Sequence, residues 1–232
     1  MRPEPAPTVP PALAVEVARD PAAVAAALDL RGRVFVDEMG AQAEADAHDA
    51  FATHLVLRDP ARPDLGVVGT TRLGRGDGPG FYVEREFDLS APRRAGLAMA
   101  EMGRTCVHGD YRTGWPALAL MRTALEVARG WGVDLLVGTG SLPGADAARH
   151  APALAALEAR ALAPEAIRPV ARGPEAVFPP PGEGSMRGVP ALLKSYLRAG
   201  ARVGRGGWVD AAFGTVDVCL LLDPARARLP GR

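Results

Sequence analysis

Five short blocks carry the residues of this chain that could do chemistry. They are Leu30-Arg31-x-x-Val34-Phe35-x-x-Glu38, an acidic stretch with Asp46 and Asp49, Val68-Gly69-Thr70-Thr71-Arg72-Leu73, Glu84-x-Glu86-Phe87-Asp88-Leu89, and Glu101-x-Gly103-Arg104-x-Cys106-Val107-His108-x-Asp110-Tyr111-Arg112. Glu101 is a candidate to contact an amine or take its proton, with Arg104 beside it. The two lie three apart, which on a strand sets them on opposite faces unless a bulge intervenes; Gly103 is compatible with one. Arg31, Arg72, Glu101 and Arg104 could equally form a buried charge network that supports the fold. Asp46 and Asp49, three apart in a mobile loop, suit an ammonium group, while a solvated acidic loop is the plainer reading. Glu84 and Glu86 read as sharing a strand face that Asp88 continues, and solvent would suit them as well. Cys106 and His108 stand at i and i+2, yet Cys106 has apolar neighbours and no nucleophile elbow occurs. A covalent enzyme intermediate is therefore not expected. No CxxC or similar spacing occurs, and no metal is expected. His48 and His54 read as ordinary loop and strand histidines.

The elements that must hold these residues follow from periodicity and punctuation. Residues 1–12 are proline-rich and read as a disordered tail; 13–223 read as one domain, and 224–232 as a flexible end. Ala12 to Val17 predicts a short strand. Asp20-Pro21 then gives an N-cap and a proline at the first helical position, for a helix to about Met39 that Gly40 stops. On it Val24, Leu28, Arg31, Phe35 and Glu38 share a face. The polar stretch Ala41 to Ala50 reads as a loop. Thr53–Arg58 and Val67–Leu73 read as paired strands, Ala98–Val107 as another, Trp115–Trp131 as a helix, and Leu135–Thr139 as a strand. Pro143–Ala163 reads as helix, 174–190 as a proline-rich loop, Pro190–Ala199 as helix and Val216–Leu222 as a closing strand. The alternation argues a mixed α/β sheet flanked by helices.

Composition narrows the partners. The chain has 232 residues, with 27 basic against 27 acidic, and Lys194 is the only lysine. Without a basic excess, nucleic acid is not an expected partner. Cys106 and Cys219 sit in apolar runs and read as buried thiols. No signal-peptide core and no run of roughly 20 apolar residues appears, so a cytoplasmic protein is expected.

Taken in order and at their separations, the blocks resemble two branches of the GNAT superfamily: acyl-homoserine-lactone synthases and, more closely, ornithine acyl-ACP N-acyltransferases. The second resemblance rests on LRGRVFVDEMGA (Leu30–Ala41), VVGTTRL (Val67–Leu73), FYVEREFDL (Phe81–Leu89), EMGRTCVHGDYR (Glu101–Arg112) and the long run Leu192–Leu222. It implies the GNAT fold, a mixed, mostly antiparallel twisted sheet whose two central strands splay apart over a bulge. It further implies an N-acyltransferase that moves a (3-hydroxy)fatty acyl group from acyl-ACP to the α-amine of ornithine or a similar amino acid, giving a lyso-aminolipid. Glu101 and Arg104 would be catalytic. Arg31, Phe35, Asp46, Asp49 and Arg72 would hold the acceptor. The thioester and its pantetheine arm would lie along Thr105, Cys106 and Val107, with Arg112 and Gly114. No permanently bound cofactor is expected.

The donor is argued from the phosphate turn. CoA-dependent GNAT enzymes bind pyrophosphate on a glycine-rich turn that opens a helix. Here the turn reads Arg112-Thr113-Gly114-Trp115-Pro116, with one glycine and a proline that removes an N–H. Acyl carrier protein is thus the expected donor and partner, with a CoA thioester second. Lys194, Arg198 and Arg202 recur every four residues, with Arg205 beyond, as a candidate basic ridge for that acidic carrier. The lipid product leaves peripheral contact with the inner membrane face open. Three other readings stand beside this one: an acyl-homoserine-lactone synthase, an acetyl-CoA-dependent acetyltransferase, and a GNAT-fold binding module without activity. The first would carry a tryptophan shortly after the Arg-x3-Phe helix, and none occurs between Phe35 and Asp46.

Overall fold

The computed structural model describes residues 13–41, 45–112, 115–180, 182 and 184–229. The expected tail at 1–12, and the candidate Gly114, lie outside the described residues. Among the described residues eleven strands form: β1 (Ala14–Val17), β2 (Ala52–Arg58), β3 (Val67–Gly74), β4 (Phe87–Asp88), β5 (Met99–Val107), β6 (Leu135–Pro143), β7 (Val170–Ala171), β8 (Ala176–Val177), β9 (Arg202–Val203), β10 (Gly207–Asp210) and β11 (Thr215–Leu222). The main sheet runs β1-β2-β3-β5-β6-β11-β10-β8, with β9 on β11, while β4 and β7 pair separately. All its strand pairs are antiparallel except β5 with β6.

Among the described residues five α-helices, α1 (Pro21–Arg31), α2 (Ser90–Arg94), α3 (Trp115–Gly130), α4 (Ala147–Ala161) and α5 (Ala191–Arg198), flank it. The helix α3 covers one face, burying Leu120, Met121, Ala124 and Leu125 against Leu55, Leu57, Ala100 and Met102. On the opposite face α1 packs Ala27, Leu30 and Val34 against Val56, Val67 and Cys106. That second face also carries the charged residues of the site.

Asp20 caps α1 as expected, accepting the Ala23 N–H at 2.8 Å. The helix then widens into a π-helical stretch at Gly32–Glu38 and stops at Gly40, φ 77°. A π turn adds a residue per turn and often marks a functional segment. The buried face is Ala27, Leu30, Arg31 and Val34, not Val24, Leu28, Arg31, Phe35 and Glu38 as the regular spacing predicts. Packing on β2 and β3 selects that stripe, and Glu38 is left outside.

Two further expectations need correction. The segment around Glu84 is not a strand: Tyr82–Arg85 is a 3-10 turn, followed by the two-residue β4. Consequently Glu84 and Glu86 do not share a strand face. The helix predicted from Pro143 starts at Ala147, capped by Asp146, because β6 continues to Pro143 along β11. Finally, β7, β8, β9 and β10 are too short for period-two alternation to be read in the sequence.

Candidate functional site

The acidic stretch folds into a 3-10 turn at Ala47–Phe51. Asp46 accepts the His48 N–H and Asp49 accepts the Asp46 N–H, both at 2.9 Å. Three arginines then converge on the two carboxylates. Arg31, fully buried, donates to both oxygens of Asp49 at 2.7 and 3.2 Å. From β3, Arg72 reaches Asp46 at 2.6 Å and Asp49 at 2.8 Å. From β5, Arg104 reaches the other oxygen of Asp46 at 3.0 Å. Burial alone would raise both carboxyls; the arginine hydrogen bonds and charges outweigh it and hold them below the usual carboxylate range. Their oxygens already face guanidinium groups, which corrects the picture of a mobile loop offering a vacant ammonium site.

The bulge anticipated in β5 is present. Arg72 lies opposite Gly103 and Thr70 opposite Cys106, so β5 carries one extra residue between two pairs. Arg104 absorbs it at φ 52°, in left-handed conformation, which a non-glycine residue adopts only where its surroundings compel it. Those surroundings are clear: the Arg104 guanidinium lies 4.5 Å from the Tyr82 ring centroid and 5.0 Å from that of Phe213. Phe35 supports Phe213 edge-on at 5.8 Å. The bulge therefore brings Arg104 to the same face as Glu101 and Arg72. Tyr82 and Phe213 had no assigned role in the sequence, since nothing in their spacing shows that they bracket an arginine.

Glu101 is buried, and its oxygens accept the N–H groups of Tyr82 and Val83, both at 2.8 Å. Burial raises its carboxyl against the lowering effect of those two donors. It thus pins the 80s loop over the sheet while keeping a basic carboxylate at the mouth of a narrow crevice lined by His48, Phe51, Arg72, Gly80 and Glu101. A larger groove of about 350 Å³, along Arg75, Phe81, Arg93 and Met99, holds none of the candidate residues.

Immediately beyond Glu101 the sheet parts. Pairing of β5 with β6 ends at Glu101 and Val137, although both strands continue. Gly138 marks the fork: a Cβ there would meet the Met102 carbonyl oxygen at 2.2 Å. Along this open edge the backbone of β5 is turned to the gap, while its side chains are committed elsewhere. The Thr105 hydroxyl bonds that of Thr71 at 2.7 Å, Cys106 packs under α1, and Val107 packs into the α3 core. Arg112 donates to the Val107 carbonyl at 3.0 Å and pairs with Glu38.

The basic residues named for carrier docking are not one helix face. Lys194 and Arg198 lie on α5, which ends before Gly200 (φ 105°); Arg202 is on β9, and Arg205 stacks over Phe178 at 5.9 Å.

One cluster escaped the sequence reading. Glu86, Asp210 and Asp217 are all buried, each placing a carboxylate oxygen within 4.8 Å of the others. Desolvation and mutual repulsion push Glu86 up to about 9 and raise Asp217 as well. Both folded and unfolded chains hold the Glu86 proton below about pH 4.3. Between there and about 9 only the folded chain does, so stability falls as pH rises across that window. Glu86→Gln is expected to flatten this decline, seen as a smaller loss of urea midpoint between about pH 5 and about pH 9.

A family profile described as "Acetyltransferase (GNAT) domain" matches residues 30–122. The chain is 36% identical over 230 residues to the L-ornithine N(alpha)-acyltransferase of Rhodobacter capsulatus, covering 90% of this chain and 89% of that one. It is 35% identical over 235 residues to the protein of the same name from Brucella abortus, covering 90% and 84%. Among solved structures, FeeM, an N-acyl amino acid synthase from uncultured soil microbes, superposes with a TM-score of 0.59 at 13% identity, covering 93% of each chain. The AHL synthase LasI superposes with a TM-score of 0.55 at 14% identity, covering 95% of this chain and 98% of that one. These two show the shared fold. On its sequence relatives, the chain belongs to the L-ornithine N(alpha)-acyltransferase family, an acyltransferase on the GNAT fold.

Proposed function

We propose that this enzyme transfers a fatty acyl group, 3-hydroxylated in the expected case, from acyl carrier protein to the α-amine of ornithine, forming a lyso-aminolipid. The observation that carries the reading is the opened edge of β5 beside a buried, raised carboxylate, in a chain about 35% identical to L-ornithine N(alpha)-acyltransferases along 90% of its length. The thioester would lie in the fork, its carbonyl directed at backbone N–H groups near Thr105 to Val107, where developing negative charge needs donors. Glu101 takes a proton from the acceptor ammonium; each of its oxygens has a second lone pair beyond the backbone bond it accepts. The neutral amine attacks the carbonyl carbon, the C–S bond breaks, and the departing pantetheine thiolate takes the second proton that the nitrogen sheds as the amide forms. Positioning supplies most of the acceleration, so no enzyme nucleophile is needed. The bracketed Arg31-Asp46-Asp49-Arg72-Arg104 cluster would hold the acceptor side of the cleft in shape, with Phe35 behind it.

Glu101→Gln is expected to lower kcat by about 10²–10⁴ with little change in KM for ornithine. The assay is mass spectrometry of N-acylornithine formed from purified 3-hydroxyacyl-ACP. Retained turnover in this variant removes Glu101 as the base. In a host that lacks aminolipids but supplies ornithine and 3-hydroxyacyl-ACP, expression should yield a lyso-aminolipid; an unchanged lipid profile overturns the proposed function.

A carrier-protein donor is supported by the proline at the second residue of α3, Pro116, where a CoA diphosphate would ask for an N–H. Lys194 and Arg198 would then meet the acidic carrier. Lys194→Glu combined with Arg198→Glu is expected to raise the KM for acyl-ACP several-fold while leaving the KM for a short acyl-pantetheine unchanged. Equal effects on both donors would remove the docking role, and turnover with acetyl-CoA alone would replace the donor.

A further inference from the structure

The cleft face has two electrostatic poles. At one, the Asp46 and Asp49 carboxylates are shared among Arg31, Arg72 and Arg104, leaving the cluster net positive, and the buried Nε of Arg104 has no hydrogen-bond partner. At the other, Glu86, Asp210 and Asp217 gather, and among the described residues none of the three is in an ion pair. Strand geometry builds the second pole. Trp208 lies opposite Asp217 and Asp210 opposite Thr215 on β10 and β11, so all four occupy one face of a hairpin. Glu86, from the end of the 80s turn, closes over them.

This acidic pole is not a satisfied structural network. Among the described residues Glu86 Oε2 is buried without a hydrogen-bond partner, as is the Trp208 indole N–H, while the Ser141 and Thr215 hydroxyls lie close enough to Asp217 to lower its carboxyl. Both Glu86 and Thr215 are at least nine-tenths buried. Unpaired buried carboxylates are costly, and a chain retains them where something cationic completes them. Among the described residues no cation forms an ion pair with them: Arg85 acts on Glu86 through its charge alone, and Arg72 and Arg104 are already engaged by Asp46 and Asp49. The two poles are adjacent, because the Tyr82 phenol feels both the Arg104 and the Glu86 charge, and Asp217 feels Arg104.

We propose that Glu86, Asp210 and Asp217 form the subsite that receives the side-chain ammonium of the amino-acid acceptor, with Arg104 at the opposite pole receiving its carboxylate. The inference rests on the reading above, that the acceptor is a diamino acid. An ammonium brings three donors, one for each carboxylate, and it replaces the proton that the empty cluster must otherwise keep. The α-amine, between the two poles, is left beside Glu101 and the fork. The trio thereby sets specificity: a neutral amino acid of the same length would leave the buried carboxylates uncompensated, a mismatch that specific sites reject strongly.

The test compares ornithine with norvaline, which has the same carbon chain and no side-chain amine, in the full-length enzyme with acyl-ACP. Wild type is expected to prefer ornithine in kcat/KM by about a hundredfold or more. In Glu86→Gln and in Asp217→Asn, each checked for native circular dichroism, that ratio should fall at least tenfold. A ratio that stays at the wild-type value in both variants overturns the subsite while leaving ornithine acylation intact. Failure of wild type to acylate ornithine at all instead removes the underlying reading. If one variant misfolds, thermal shift of the other by ornithine alone, without donor, gives the same contrast: loss of the shift supports the subsite and its retention opposes it. Stoichiometric binding of Mn²⁺ by wild type, abolished in the variants, would overturn the ammonium assignment in favour of a metal site.

Discussion

Asp49→Ala is expected to cost about 3–5 kcal/mol of folding stability, measured from urea midpoints at neutral pH. The substitution strips Arg31, which is fully buried, of both described hydrogen bonds to that carboxylate, and it removes one of the two partners of Arg72. It also deletes the acceptor of the Asp46 N–H that closes the 3-10 turn. Removing a carboxylate that two buried guanidinium groups share is the costly case; breaking an exposed pair is not. Asp64→Ala, which breaks the solvent-facing pair with Arg62, should therefore leave the midpoint unchanged and serves as the control. The pH dependence follows from the lowered carboxyl of Asp49. Its contribution is full above the unfolded value near 3.9 and disappears as pH falls through the lower folded value, so wild type and variant should converge only in strong acid. A midpoint that hardly moves at neutral pH would show that the cluster contributes no net stability.

Gly138→Ala is expected to reduce acyl transfer by about a hundredfold, the usual consequence of displacing reacting groups by about 1 Å. The new Cβ would stand 2.2 Å from the Met102 carbonyl oxygen, a backbone atom that cannot swing aside. Glycine in a strand often marks such a close approach of two backbones. Here it stands one residue past the last β5–β6 pair, so relief of the clash must either break that pairing or open the fork further. Either response moves the N–H groups near Thr105 away from the thioester. The KM for ornithine should change less than kcat, because Glu86, Asp210 and Asp217 lie on elements other than β5 and β6. Unaltered kcat in Gly138→Ala would show that the fork does not set the thioester geometry.

Much of the frame was legible before any coordinates. The α1 start, the β2–β3 pair, α3, α5 and β11 follow from caps, glycine stops and apolar periodicity, and they fall within a few residues of expectation. Even the bulge in β5 was foreseeable from Glu101-x-Gly103-Arg104. What periodicity missed has common causes. The π-helical widening of α1 shifts which residues are buried, and local propensity does not encode such a shift. Glu84 and Glu86 looked like a solvated pair on a strand; instead a 3-10 turn leaves Glu84 outside, paired with Arg93, and buries Glu86. Short strands such as β8 hold through pairing far along the chain, Val177 with Gly207.

By itself the sequence determined the residue types of the site and their order: an arginine in an apolar helix, a pair of aspartates, an arginine on a strand, and a glutamate and arginine flanking a glycine. That set is enough to state the class of chemistry, because acyl transfer to an amine needs a base, donors and a cleft and little else. Tertiary structure decided the assignments within the set. It joined Asp46 and Asp49 to three arginines from three elements, gave the Glu101 oxygens to the 80s loop, and gathered Glu86, Asp210 and Asp217 from positions up to 131 residues apart. The physical reason is that charge and burial are properties of neighbours in space. A carboxylate next to a guanidinium, one under two backbone N–H groups and one among other carboxylates read alike in sequence, and only packing tells a structural anchor from a base or a cation site.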